Sequence, residues 1–178
     1  MKTIDKYLFQ ALDNYPYSLE ETIESLDYAF SYDAKNTMVL CLYGRIQAEQ
    51  LLNYEEAKSY FQEALAINIH ALEVYPYYLH VLILNEDYEE AQKLIDFALT
   101  IKGINKSEIF VKKAMLLEAQ QEFKKALKEI KNAKLTTLQF AYDSDITEVE
   151  KRIKGKMELL EKKKKSKKSK KDSKNKSK

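Results

Sequence analysis

A five-position pattern recurs along this chain at nearly constant spacing, and it constrains the fold more than any other feature. Its best copy is Tyr54, Ala57, Phe61, Ala64 and Leu65. A step of 34 residues gives Tyr88, Ala91, Ile95, Ala98 and Leu99, and a further 35 gives Phe123, Ala126, Ile130, Ala133 and Lys134. A step of 35 in the other direction gives Leu19, Thr22, Leu26, Ala29 and Phe30. Within each copy the positions fall on one stripe of a 3.6-residue helix and alternate large with small side chains. A repeat of this length marks an architecture in which each unit buries its apolar face against its neighbours.

Helix-start signals recur in the same register. Ser18 with Glu21, Asn53 with Glu56 and Asp87 with Glu90 each read as a capping residue and a reciprocal acid three residues on. Glu122 and Lys125 break this box in the fourth copy, which predicts a less well-defined turn there. Ahead of each of these helices lies another apolar-periodic stretch: 4–12, 38–51, 72–84 and 109–119. Each unit therefore reads as a pair of antiparallel helices. Small residues on the second helix let the backbones approach, and Gly44 and Ala114 are the matching small residues on first helices.

Composition agrees with helices joined by short turns. Three glycines and two prolines are too few for an all-β or doubly wound fold, which needs many residues at special backbone angles. Cys41 is the only cysteine, so no disulfide forms within the chain, and it reads as a small buried apolar residue. No stretch reaches the ~20 apolar residues of a membrane span, and the first nine residues are too charged for a secretory leader. The expected location is cytoplasmic.

The run Tyr54-Glu-Glu-Ala57-Lys-Ser-Tyr-Phe61-Gln-Glu-Ala64-Leu65, echoed by Tyr88-Glu-Glu-Ala91, resembles the tetratricopeptide repeat signature. The resemblance covers roughly residues 3–139 and is strongest over 37–105. It departs from the family in three respects: the usual first-helix tryptophan is absent, Gly44 lies one residue too far from Ala57, and the closing proline is missing. Pro76 falls instead within a first helix, where it fits only near the start.

The expected fold is all-α: a right-handed superhelical solenoid of about four tetratricopeptide-like helix hairpins. Its repeat domain spans 1–139, with repeats near 3–36, 37–71, 72–106 and 107–139. A C-terminal capping helix follows over 140–161, and a disordered lysine-rich tail over 162–178. In the capping helix Asp145 and Glu148 form the start signal, and Ile146, Val149, Ile153 and Leu160 share one side. Such an end piece covers the apolar face of a final repeat, and a monomer is expected rather than a dimer through the same stripe.

Catalytic chemistry finds little support. There is no glycine-rich phosphate loop, and His70 and His80 lie ten residues apart without a supporting ligand motif. The recurring acid pairs Glu55-Glu56 and Glu89-Glu90 stand at helix starts, where the helix dipole explains them. No catalytic residue, metal or cofactor is expected, and the chain reads as non-enzymatic.

In tetratricopeptide proteins the first helices line a concave groove, and the resemblance implies that this surface receives a peptide or protein partner. Projected onto this chain, the groove falls on Tyr7, Ala11, Met38, Cys41, Arg45, Tyr77, His80, Val111 and Met115. Such a lining suits anchoring by a few apolar side chains, with polar groups fixing orientation. The places that carry an Asn/Lys/Arg carboxylate clamp in the chaperone-tail receptors of the family hold Leu42, Glu73 and Tyr77 here, so that clamp is absent.

The net charge of +2 hides an asymmetry. Residues 162–178 contain eleven lysines against Asp172, a net +10 that leaves −8 on residues 1–161. With no apolar residue to bury, this run reads as an extended, solvated tail. Nucleic acid bound through Lys162–Lys178 by counterion release is the alternative reading, that of an RNA- or ribosome-associated repeat protein, and anionic lipid comes third. No aromatic interrupts the lysines, so base stacking is not supported.

Overall fold

The computed structural model describes residues 6–137 and 143–175. Among the described residues the regular structure is entirely helical, with no strand. The helices are α1 (Lys6–Asn14), α2 (Leu19–Tyr32), α3 (Thr37–Glu49), α4 (Tyr54–Ile67), α5 (Val74–Leu84), α6 (Tyr88–Ala98), α7 (Lys106–Ala119), α8 (Phe123–Thr136) and α9 (Asp143–Asn175). Each odd-numbered helix up to α7 packs against the helix that follows it, and the short connections make each pair antiparallel.

The chain forms two compact units, residues 1–104 and 105–178, where the sequence suggests one repeat domain over 1–139. A separate core accounts for the second unit. Ala114, Ala126, Ile130 and Ala133 of α7 and α8 pack with Ile146, Val149 and Ile153 of α9, and Met157 and Leu160 flank them. Helix α9 thus covers the α7/α8 pair, as the apolar stripe predicts. It begins at Asp143, so Asp145 and Glu148 lie inside its first turns and do not cap it. The helix also runs on to Asn175, where sequence reasoning expects an unfolded tail from Lys162. Lysine is a good helix former, and no glycine or proline follows Gly155 to stop propagation.

The small positions of the pattern are where helices touch. Ala29, Ala57, Ala64, Ala91, Ala98, Ala126 and Ala133 are all essentially inaccessible. Thr22 occupies an alanine position in the first copy, and its buried hydroxyl is satisfied by donating to the Ser18 carbonyl at 2.7 Å. Polar contacts repeat with the same period: Tyr43 Oη donates to Asp27, and 35 residues on Gln62 donates to Tyr78 Oη at 2.9 Å.

The helix starts stand where the pattern places them, but the capping boxes do not all form. Asn53 Oδ1 accepts from the Glu56 amide at 3.4 Å, whereas the Ser18 and Asp87 side chains make no capping bond. Two caps come from residues outside the boxes: Asn36 accepts from Met38 and Asn105 from Glu108. What holds the turns is backbone. Leu52, Glu86 and Gln121, in one register, have φ of 53°, 63° and 61°. Past each, the amides of Asn53, Asp87 and Glu122 donate to Gln47, Leu82 and Leu117 carbonyls at 2.8–2.9 Å, closing the preceding helix. The fourth turn is therefore as well defined as the others, despite its lost capping box. Pro76 is the third residue of α5, where its missing amide proton has no intrahelical acceptor to lose.

Candidate functional site

One surface feature of the first unit is centred on Arg45 of α3. Its guanidinium carbon lies 4.7 Å from the ring centroid of Tyr15, just past α1, and 4.3 Å from that of Tyr77 on α5. One helical turn on, Glu49 takes the Arg45 Nε–H at 3.3 Å and the Tyr15 hydroxyl at 2.5 Å. Two rings and a carboxylate thus fix a side chain that is otherwise among the most flexible, and each ring adds a cation–π attraction. The Tyr15 hydroxyl is pushed up to about 12, first by burial and then by the carboxylate that accepts its proton.

A pocket of about 260 Å³ opens beside this arrangement. Phe61, Ala48 and Val81 give it apolar walls, Leu52 and Leu84 stand exposed at its rim, and Arg45, Glu49, Tyr77 and His80 supply polarity. Arg45 and His80 are one 35-residue period apart, so the repeat itself aims both into the same space. Ligand cavities for small molecules run from about 300 to 1,000 Å³, so this one has room for a single side chain.

The nine residues projected from the sequence divide three ways. Arg45, Tyr77 and His80 meet in the pocket. Ala11 and Cys41 do not line a surface: Ala11 has no exposure and Cys41 is 5% exposed, since both small side chains are enclosed by packed helices. Burial pushes the Cys41 thiol up to about 12, so it is a core residue with no thiolate character. Tyr7 turns toward α2 and stacks on Tyr28 with centroids 5.2 Å apart, while Met38 is exposed at the start of α3, away from the pocket. Val111 and Met115 belong to the second unit and pack against its core.

Sequence reasoning missed Tyr15, Glu49, Leu52 and Leu84. The i, i+4 spacing of Arg45 and Glu49 was a readable signal for one of them. Tyr15 and Leu52 lie just outside a helix and Leu84 at the end of one, so the stripe that marks helix faces does not reach them. Among the described residues, no group of three or more His, Cys, Asp or Glu is arranged to hold a metal ion, and no helix is long and apolar enough to cross a membrane. No protein-family model matches this sequence, and no curated protein matches it.

Proposed function

We propose that this chain is a non-enzymatic interaction scaffold of the tetratricopeptide type, monomeric and cytoplasmic, and that it binds a peptide segment of a protein partner at the Arg45 pocket. One observation carries the reading: a cation held between two tyrosine rings stands beside an apolar pocket sized for one side chain. Tyr and Arg anchors dominate peptide and protein interfaces; tyrosine adds large contact area at little rotamer cost, and Arg45 is already held by two rings and Glu49. The apolar walls accept an anchor residue, and Arg45 and Glu49 offer a donor and an acceptor to the backbone or side chain next to it. The right-handed stacking of the hairpins belongs to the same proposal, and its support is the recurrent register of small residues, turns and tyrosine contacts.

The test is selection of binders from a displayed random-peptide library on the immobilised full chain, followed by titration of the winners against wild type, Arg45→Ala and Tyr77→Ala. Enriched peptides should share one bulky apolar residue. Loss of a central anchor costs about 2 kcal/mol, a thirtyfold weakening, in either variant. Thermal unfolding close to wild type shows that the variants remain folded. Peptides that bind both variants as tightly as wild type, or a selection that enriches nothing, rule the pocket out.

A further inference from the structure

The sign of the charge changes at the unit boundary. Residues 1–104 hold seventeen acids and seven bases, whereas residues 105–178 hold eleven acids and twenty-three bases. The segments carry net −10 and +12, which together give the chain's +2. The lysine run is thus part of a larger basic unit.

Helix α8 contributes a basic face of its own. It carries five exposed lysines and one acid, Glu129. Lys125 is paired with Glu122 and Lys134 with Glu150, but Lys124, Lys128 and Lys131 make no ion pair with any described residue. These three are spaced i, i+4, i+7, so they line one stripe with no carboxylate to neutralise it. Their direction relative to α9 is set by two contacts. Lys134, near the end of α8, meets Glu150 near the start of α9, and Lys124 and Lys125, at the start of α8, share a cavity of about 540 Å³ with Met157 and Leu160. The two helices are antiparallel, and the lysine run of α9 begins within one turn of Leu160, beside the basic start of α8.

We propose that the second unit binds the phosphate backbone of duplex nucleic acid through the Lys124–Lys128–Lys131 stripe and the lysine-rich extension of α9. The backbone of this extension is helical and rises about 1.5 Å per residue, and its sequence is mostly lysine. A membrane surface is a poorer match, because a helix that settles on lipid inserts an apolar face and residues 162–178 contain no apolar residue. A single strand is also a poorer match, since it calls for aromatic stacking platforms. The large exposed aromatics among the described residues, including Tyr17, Tyr28, Tyr32 and Phe97, all lie in the first unit. That unit's charge repels phosphate and confines the contact to the second. The inference stands apart from the peptide reading, whose residues lie wholly in the first unit.

The test is fluorescence anisotropy of the full chain with a labelled mixed-sequence duplex across a salt titration. Affinity should fall log-linearly with salt, by about 0.9 in slope for each phosphate contacted. A triple Lys124→Gln, Lys128→Gln, Lys131→Gln variant should flatten that slope by about 2–3, and the matching triple Lys→Arg variant should restore it. A chain ending at Glu161 should lose the larger share. Unchanged slope in the glutamine variant overturns the α8 contact, and unchanged affinity in the shortened chain overturns the α9 contact. Tighter binding to a single strand of equal length, or capture by phosphatidylserine vesicles without binding to the duplex, overturns the assignment of the partner.

Discussion

Gly44 of α3 and Phe61 of α4 meet so closely that a side chain at position 44 has no place to go: a Cβ there would lie 2.7 Å from Phe61 Cε1 and 2.8 Å from Cζ. The ring is fully buried and packs on Tyr78 at a centroid distance of 5.7 Å, so a shift that clears the Cβ must disturb that contact or push into the pocket Phe61 walls. Gly44→Ala gains up to about 1 kcal/mol of helix propensity and overpacks a filled core at a cost of about 1–3 kcal/mol. Net destabilisation is expected, measured as a lower urea midpoint at unchanged slope. Pairing Gly44→Ala with Phe61→Leu should cost less than the sum of the two single changes, and strict additivity sinks this account of the contact.

The same contact shows how far the sequence could be read. Gly44 and the alanines were visible as small residues in register, because helix packing selects size at fixed spacing and leaves a periodic trace. The antiparallel pairs and the apolar stripe of α9 were legible for that reason. The site was legible only where it shares the period, at Arg45 and His80. Tyr15 reaches it from beyond the end of α1; it lies 34 residues from Glu49, one repeat step, but a period relates equivalent positions and does not say that they touch. Ala11 and Cys41 are buried where the projected groove has them lining a surface, because a period identifies a face while packing decides which neighbour covers it.

Helix α9 is held to α7 by a buried acid. Glu118 accepts from Arg152 Nη2 at 2.8 Å and Nε at 2.9 Å, and pairs with Lys156 at 2.7 Å. Burial opposes its ionisation, but the hydrogen bonds from Arg152 and Lys156 outweigh that and hold the carboxyl below its ordinary value. With the folded value depressed, the unfolded chain takes up the proton first as pH falls, so this contribution is present above about pH 4.3 and fades below it. Glu118→Gln should weaken amide-exchange protection in α9 at neutral pH by about 1–2 kcal/mol and flatten the acid limb. Protection in the variant equal to wild type at pH 7 removes the carboxylate as the clamp.

Tyrosine ionisation offers an independent check on the Arg45 site. Tyr15 is buried against Glu49, and its hydroxyl is raised to about 12. A raised folded value means that the associated stability is intact below the unfolded value of about 10 and is lost as pH climbs through about 12. Glu49→Gln removes the negative charge that accepts the Tyr15 proton, so Tyr15 should titrate earlier in that variant, read by phenolate absorbance against Tyr15→Phe. A titration that Glu49→Gln leaves unmoved means the bond does not persist in solution.

Asp87 stands at the start of α6 but spends its carboxylate elsewhere. Lys58 of α4 reaches it at 2.6 Å and Asn85 Nδ2 at 2.8 Å, and the Lys58 hydrogen bond leads the causes that lower its carboxyl. Asn85 also donates to Glu55 at 2.7 Å, so four side chains fasten α4 to the α5–α6 turn. Lys58→Met keeps most of the packed stem and removes the charge, which should cost about 0.5–1 kcal/mol with Asp87 half-buried and Glu55 exposed. It also releases Asp87 to cap the α6 amides it now ignores, returning up to about 1 kcal/mol. Asp87→Ala breaks the ion pair, leaves no carboxylate to cap, and leaves Lys58, 13% exposed, with only the longer contact to Glu55. Asp87→Ala should therefore destabilise more than Lys58→Met, by about 1 kcal/mol in chemical unfolding. Equal losses in the two variants mean that the freed carboxylate does not cap and that the latch is a simple ion pair.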